Sequence, residues 1–260
     1  MDKNELLKMV SKLEDRVLVS RLLDKIEQCR YSSFAYSDFL SPYEASVSKK
    51  ILDRVKEVFY KLTGGYDGAE RVITVISNDF IEEDIPYSTP ISLLRISPVT
   101  ENKLSHRDYL GSLLGLGIKR EKIGDILVSE KCTDVFVIDK IAEYISYNLD
   151  KIGNTKVHCE LCDIYQFTPP QKKVRSINTT VASLRADSVA SSGFGLSRTK
   201  VMDYFKAQKV NVNWELVQSP SKMLTEGDVI SIRGMGRIVL EKVLGNTRKD
   251  RISIIIKRFE

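Results

Sequence analysis

The stretch 166–173, QFTPPQKK, constrains the folding of this chain more than any other. Two adjacent prolines remove backbone donors and fix φ, and the lysines beyond them break any hydrophobic period. No helix or strand is expected to run through it. The charge balance also changes sign there. Residues 172–260 hold 17 Lys and Arg against 8 Asp and Glu, a net of +9, whereas residues 1–171 hold 23 against 27, a net of −4. The stretch therefore reads as a linker before a basic terminal module. A basic module suits a polyanionic partner, and on charge alone a plain solvated basic face accounts for it equally well.

The 260 residues suffice for two or three modules, and 42% hydrophobic with 29% charged residues is a globular composition. No uncharged apolar run approaches the ~18 residues of a membrane helix, and MDKNELLKMVSKLEDR contains no signal-peptide core. Four cysteines form no disulfide framework, so a reduced, cytoplasmic protein with no membrane partner is expected.

Three segments follow from the periodicity. Residues 1–70 read as a helical N-terminal domain. Leu6, Leu7, Val10, Leu13, Val17, Leu18 and Leu22 recur three and four apart. A second helix begins with Ser41 as cap, Pro42 in the first turn and Glu44 completing a capping box. It carries Val47, Ile51, Val55, Val58 and Phe59, and ends at Gly64 and Gly65. Residues 71–171 change period. A strand is expected at Val72–Ile76, and from residue 91 the order is β-α-β-β-α-β, the order of an RRM-like or ferredoxin-like sheet. The candidate strand TDVFVID supplies only Phe136 as a stacking aromatic, so base stacking on that sheet is not favoured over a structural role. Residues 172–260 form the basic module.

Candidate catalytic and metal groups are few. His158-Cys159-Glu160-Leu161-Cys162 contains a CxxC, but zinc sites use about four ligands and no second pair exists. Strand alternation also puts Cys159 and Cys162 on opposite faces, favouring buried thiols. His106, Arg107 and Asp108 open an expected helix capped by Ser105. No nucleophile is tied to them, so capping and packing are favoured over catalysis. Gly111 and Gly115 lie four apart, leaving a helix face bare for close backbone approach. No phosphate loop or dinucleotide fingerprint is present. No catalytic residue, metal or cofactor is assigned.

The basic module is the informative part. A short helix around Leu184–Ala190 is halted by Gly193 and Gly195. Ser197 caps a second helix, Arg198–Gln208, and strands follow at Lys209–Asn213, Leu216–Val217, Val229–Arg233, Gly236–Val243 and Ile252–Lys257. A capped helix start beside Arg198, with Lys200, Lys206 and Lys209 on and after the same helix, suits phosphate groups. The pieces RAD (185–187), SRT (197–199), VNVN (210–213), SP (219–220) and GD (227–228) stand in an order that resembles the RNA-binding domain named after small-subunit ribosomal protein S-four. Over residues 183–234 the resemblance implies recognition of folded RNA chiefly by shape. The candidate RNA-contacting residues are Arg185, Ser197, Arg198, Lys200, Lys206, Lys209, Asn213, Arg233 and Arg237. Ala186 replaces the family's usual leucine, and Asp187 belongs to the pattern rather than to a catalytic site. Gln208 and Trp214 stand where that family has glycines that relieve positive φ, so this turn is expected to be built differently. Trp214 is left open between packing on the module and stacking on a base.

FLSPYEASVSKKIL, GGYDGAER, HRDYLGSLLGLGIKREKIGDILV and the C-terminal SLRADSVAS, SRTKV and GDVISIRGMGRIVLEKVLG together resemble the bacterial YlmH family across nearly the whole chain. The resemblance implies an α+β protein with a helical N-terminal region, an RRM-like middle domain and a small α/β S-four-type module. That family is associated with a cell-division gene cluster and related to RqcP, which holds peptidyl-tRNA on the large ribosomal subunit during quality control of stalled chains. The implied partners are structured RNA (rRNA and tRNA) and the large subunit, with a possible protein partner through the middle domain. Two alternatives stay open. One is a protein-interaction scaffold in division. The other is an RNA-modifying or tRNA-charging enzyme, disfavoured because no catalytic domain follows the module and Lys222-Met223-Leu224-Thr225 only superficially echoes an ATP-binding signature.

Overall fold

The computed structural model describes residues 3–10, 12–79, 89–100, 103–170, 174–247 and 250–259. The chain divides into two compact units, Met1–Pro170 and Gln171–Glu260. Within the expected linker, residues 171–173 lie outside the described residues, as do Arg248 and Lys249 of the last expected hairpin turn.

The first unit begins with helices α1 (Lys3–Lys8) and α2 (Leu13–Cys29), which share the leucine period expected of one helix. Strand β1 (Phe34–Tyr36) leads to α3 (Pro42–Leu52). Ser41 Oγ accepts from the Glu44 N–H at 3.3 Å, and Glu44 Oε2 accepts from the Ser41 N–H at 2.6 Å, which completes the capping box. Helix α3 stops at Leu52, well before Gly64. Phe59–Thr63 instead forms β2, paired antiparallel with β3 (Ile73–Ser77), and β1 pairs on the other side of β3. The N-terminal region is thus a mixed layer of helix and sheet, not a helical domain. Cross-strand pairing overrides a helical period that was only local. Gly64 serves close approach rather than helix termination: a Cβ there would lie 2.4 Å from both the Ala69 Cβ and the Arg71 carbonyl oxygen.

The expected β-α-β-β-α-β order follows, with an additional two-residue strand before its last strand. It comprises β4 (Ile91–Pro98), α4 (His106–Gly115), β5 (Ile123–Val128), β6 (Thr133–Ile138), α5 (Asp139–Asn148), a short β7 (Lys151–Ile152) and β8 (Thr155–Cys162). The sheet order β5-β6-β4-β8-β7 is all antiparallel, and its first four strands have the ferredoxin-like arrangement. Alternation sends Leu94, Ile96, Val135 and Val137 against α4 and α5, around Tyr109, Leu113, Ala142 and Ile145. The opposite face carries Ile91, Leu93, Phe136 and Ile138. It packs on Phe39, Ile73 and Val75 of the N-terminal layer. Strand β3 is buried along its whole length, because Ile76 faces α2 and α3 while Ile73 and Val75 face the second sheet. The unit is therefore a helix–sheet–sheet–helix sandwich, and the boundary expected at residue 70 falls inside it. The linker is also shorter than the sequence suggests. Phe167 stands edge-on to Tyr66 and to Phe136, with ring centroids 5.3 and 5.1 Å apart.

The second unit opens with β9 (Val174–Val181), a strand absent from the sequence reading. Helices α6 (Ala186–Phe194) and α7 (Arg198–Lys206) follow, then β10 (Val210–Val212), β11 (Glu215–Leu216), β12 (Val229–Ile232), β13 (Gly236–Asn246) and β14 (Ile252–Phe259). The sheet runs β11-β10-β12-β13-β14-β9, and β9 pairs with β14 over all eight of its residues. The helices bury Val189, Ala190, Phe194, Val201 and Phe205 against Ile230, Ile238, Leu240, Ile254 and Ile256. Gly193 does not halt α6. It lets the helix approach the sheet, since a Cβ there would lie 2.4 Å from Ile238 Cδ1, and Gly195 at φ +67° makes the left-handed stop. The whole chain is α+β.

Candidate nucleic-acid interface

Two helix starts build the site in the basic unit. Arg185 is the residue before α6, Asp187 lies in the first turn of α6, and Arg198 opens α7. The Asp187 carboxylate accepts from Arg185 Nε at 3.1 Å and Nη2 at 3.3 Å, and from Arg198 Nη2 at 2.8 Å. Its side chain is 5% exposed, whereas those of Arg185 and Arg198 are 40% and 57% exposed. One buried anion thus holds two surface cations together, and the trio keeps a net charge of +1. Burial pushes the Asp187 carboxyl up, but hydrogen bonds from Arg185 and Arg198 outweigh it and hold the group below the usual carboxylate range. Arg198 commits one Nη to Asp187, and its other donors have no protein partner among the described residues. Ser197 caps α7 by accepting from the Lys200 N–H at 3.2 Å. Fixed guanidinium donors beside a capped helix start form an arrangement suited to phosphate oxygens.

The remaining sequence candidates separate. Lys200, Lys206 and Lys209 are exposed and carry no ion pair among the described residues. Arg233 is brought beside Lys209, its N–H bonding the Lys209 carbonyl at 3.0 Å. The Arg237 guanidinium lies 4.6 Å from the centroid of the Phe259 ring. Asn213 spends its amide inside the unit: Nδ2 donates to Asp228 Oδ1 at 2.7 Å and Oδ1 accepts from the Val229 N–H at 2.9 Å. It acts as a clasp between β10 and β12, which sets it apart from the contact residues it was grouped with. The replacement of glycine at Gln208 and Trp214 was expected to give a differently built turn, and the backbone instead keeps positive φ there: Gln208, Asn213 and Trp214 adopt φ of +53°, +50° and +64° without glycine. Sequence reasoning read Asp187 only as part of a pattern. An acid two residues after Arg185 in a helix's first turn was the available signal for its role as anchor.

In the first unit, the sheet face that RRM-like domains offer to bases is closed. Phe136 is fully buried, between Tyr66 and Phe167. The closure is fixed by Asp125, which accepts from Tyr66 Oη at 2.6 Å, the Glu70 N–H at 2.7 Å and the Arg71 N–H at 3.0 Å. Arg71 adds bonds to the Ile123 and Phe39 carbonyls at 2.9 and 3.0 Å. This ties the GGYDGAER loop to β5. Asp108 turns back on its own helix start, taking the Ser105 N–H at 2.7 Å and Oγ–H at 2.8 Å, and makes no pair with His106. Burial, and then Arg120, lower the His106 pKa. A Cβ at Gly111 or Gly115 would meet nothing within 4 Å, so no backbone approaches there. Cys159 packs under α4 and α5 while Cys162 packs on the opposite face of β8, so the CxxC is split between two cores. Burial pushes the Cys159 thiol up to about 11. No helix among the described residues is long and apolar enough to cross a membrane.

Two family profiles match this chain. "YlmH, N-terminal" matches residues 14–79, and "Putative RNA-binding domain in YlmH" matches residues 90–166. "Ribosome-associated protein quality control protein P2" of Bacillus subtilis (strain 168) is 32% identical over 250 residues, covering 94% of this chain and 95% of the relative. The solved structure of "Cell division protein ylmH" from Streptococcus pneumoniae matches with a TM-score of 0.51 and 22% identity, over 60% of this chain and 96% of that one, a likeness of fold. With both profiles matched in chain order and near end-to-end similarity to the Bacillus relative, the chain belongs to the YlmH family.

Proposed function

We propose that this protein binds structured RNA, rRNA and tRNA, through its C-terminal unit and associates with the large ribosomal subunit in quality control of stalled peptidyl-tRNA. The role is cytoplasmic and non-enzymatic. The observation that carries the reading is the Arg185–Asp187–Arg198 trio at two adjacent helix starts, in a unit of net charge +9. Such contacts position a nucleic-acid backbone without reading its sequence, which suits a folded RNA target. The near full-length similarity to a protein named for ribosome-associated quality control supports the ribosomal setting. The closed sheet of the middle region favours a second use for that region, a protein partner met by its outer surface. On that surface Tyr144 and Tyr147 of α5 are exposed.

Co-sedimentation with purified large and small subunits, wild type beside Arg198→Ala at two salt concentrations, tests the reading. The expected result is salt-sensitive binding to the large subunit, weakened by about 1–3 kcal/mol in the variant. Four to six neutralised phosphates would give a log–log salt slope of roughly −3 to −5. Binding that is flat with salt and untouched by the substitution would refute the assignment of the surface.

A further inference from the structure

The turn between β10 and β11 joins three observations that the phosphate-binding reading does not use. Trp214 holds φ +64° directly after Asn213 at φ +50°, a two-residue hairpin turn whose backbone suits glycine. Its side chain makes no hydrogen bond, ring stack or cation–π contact among the described residues, and the residue is 40% exposed. The turn is nonetheless held rigidly from beneath. The Asn213 N–H bonds the Val229 carbonyl at 2.8 Å, its amide clasps Asp228 and Val229, and the second Asp228 oxygen accepts from the Thr225 N–H at 2.7 Å. An unfavourable backbone thus presents a large aromatic outward on a fixed support, a combination associated with functional positions.

We propose that Trp214 is a stacking platform for an unpaired nucleobase of the bound RNA. The inference rests on the RNA-binding reading and adds to it a contact that backbone-directed arginines cannot make. The chemistry of the occupant follows from the surroundings. A unit of net charge +9 draws a polyanion. The indole itself carries no charge to hold a phosphate, so the group seated on it is the neutral flat face of a base. Indole–base stacking tolerates any sequence, because every base has a π-face. The target would therefore contain a loop, bulge or single-stranded end next to a helical segment.

The chain contains one tryptophan, so its fluorescence reports on this position alone. The full-length protein is titrated with a hairpin RNA bearing an unpaired loop, with a perfectly paired RNA duplex of the same length and with linear polyphosphate. Binding is followed by anisotropy of the labelled RNAs and, independently, by tryptophan emission. The expected result is quenching by the hairpin alone. Trp214→Gly, which the backbone accommodates, should weaken hairpin binding about tenfold and leave duplex binding unchanged, while Trp214→Phe should restore most of the loss. Hairpin binding with unaltered emission and equal affinity in Trp214→Gly would overturn the stacking role and leave the RNA reading standing. Failure of both RNAs to bind would overturn the RNA reading and the platform with it. A lowered melting temperature in Trp214→Gly together with equal loss for hairpin and duplex would make the indole a structural group and also overturn the proposal.

Discussion

Removing the Asp187 carboxylate probes the site and the stability of its unit together. Three charge-assisted contacts disappear, at 2.8, 3.1 and 3.3 Å. Each such contact is worth ~1.5–3 kcal/mol where solvent does not compete. Both guanidiniums are about half exposed and rehydrate once released, so the total stays below the ~3–5 kcal/mol of breaking a fully buried pair. Loss of an anion from the first turn of α6 costs a further few tenths of a kcal/mol. Asp187→Ala should therefore destabilise the C-terminal unit by about 2 kcal/mol. Urea unfolding of the full chain followed by Trp214 emission reads that unit selectively. With a slope of about 1 kcal/mol per molar, the midpoint should fall by roughly 2 M. The pH dependence has a definite sign. The native pKa lies below the unfolded value of ~3.9, so the contribution is complete above that value and is lost as pH falls through the lower native pKa. The gap between wild type and variant should close below about pH 4. RNA binding supplies a second readout. On a purely Coulombic surface, Asp187→Asn would strengthen binding by removing a negative charge. A positioned arginine pair requires weaker binding instead, by about 3- to 10-fold. Equal urea midpoints at neutral pH, a gap undiminished in acid, or tighter RNA binding would each refute the reasoning.

Other perturbations follow from the same geometry. Gln208→Gly removes a left-handed non-glycine residue at φ +53° and should stabilise the C-terminal unit by about 0.5–1 kcal/mol in urea unfolding, after the added freedom of the unfolded chain is counted. Gly124→Ala would set a Cβ 2.6 Å from Phe39 Cε1 and 3.1 Å from Phe136 Cβ, and should cost the first unit about 1–3 kcal/mol, measured by near-ultraviolet circular dichroism during unfolding. Tyr66→Phe deletes the 2.6 Å bond to Asp125 and leaves the two backbone donors in place, so the same assay should show a loss of about 1–2 kcal/mol. Cys159, buried and with its thiol pushed up to about 11, should resist iodoacetamide at pH 8 in the native protein, with Cys132 labelled first in a peptide map.

Features decided within a few residues could be read from the sequence. Ser41 and Ser197 stand at helix starts because each hydroxyl oxygen accepts from an N–H three residues on, and at Ser105 the Asp108 carboxylate three residues on accepts from the serine N–H and hydroxyl, so the sequence alone contains both partners. The alternation and order of β4 to β8, the split of the CxxC across β8 and the sign of the terminal charge are likewise local or compositional properties. The cluster Arg185, Ser197 and Arg198 was visible as a motif.

Long-range pairing decided the rest. Phe59 continues a helical period, yet it enters β2 because β3 offers a ladder there. VRSINTTV shows little apolar alternation and becomes a strand because β14 lies alongside it for eight residues. Whether Phe136 meets RNA or a neighbouring layer depends on Phe39, Ile73 and Val75, dozens of residues away in the chain. Gln208 adopts a left-handed backbone where the Lys209 N–H returns to the Tyr204 carbonyl at the end of α7, and Trp214 does so because hydrogen bonds of Asn213 to Asp228 and Val229 hold the β10–β11 turn. The sequence by itself determined local caps, strand alternation and charge. Only the tertiary structure decided which faces are sealed, which cations an anion holds in place and which aromatic is left facing solvent, because each of these depends on groups that chain folding alone brings together.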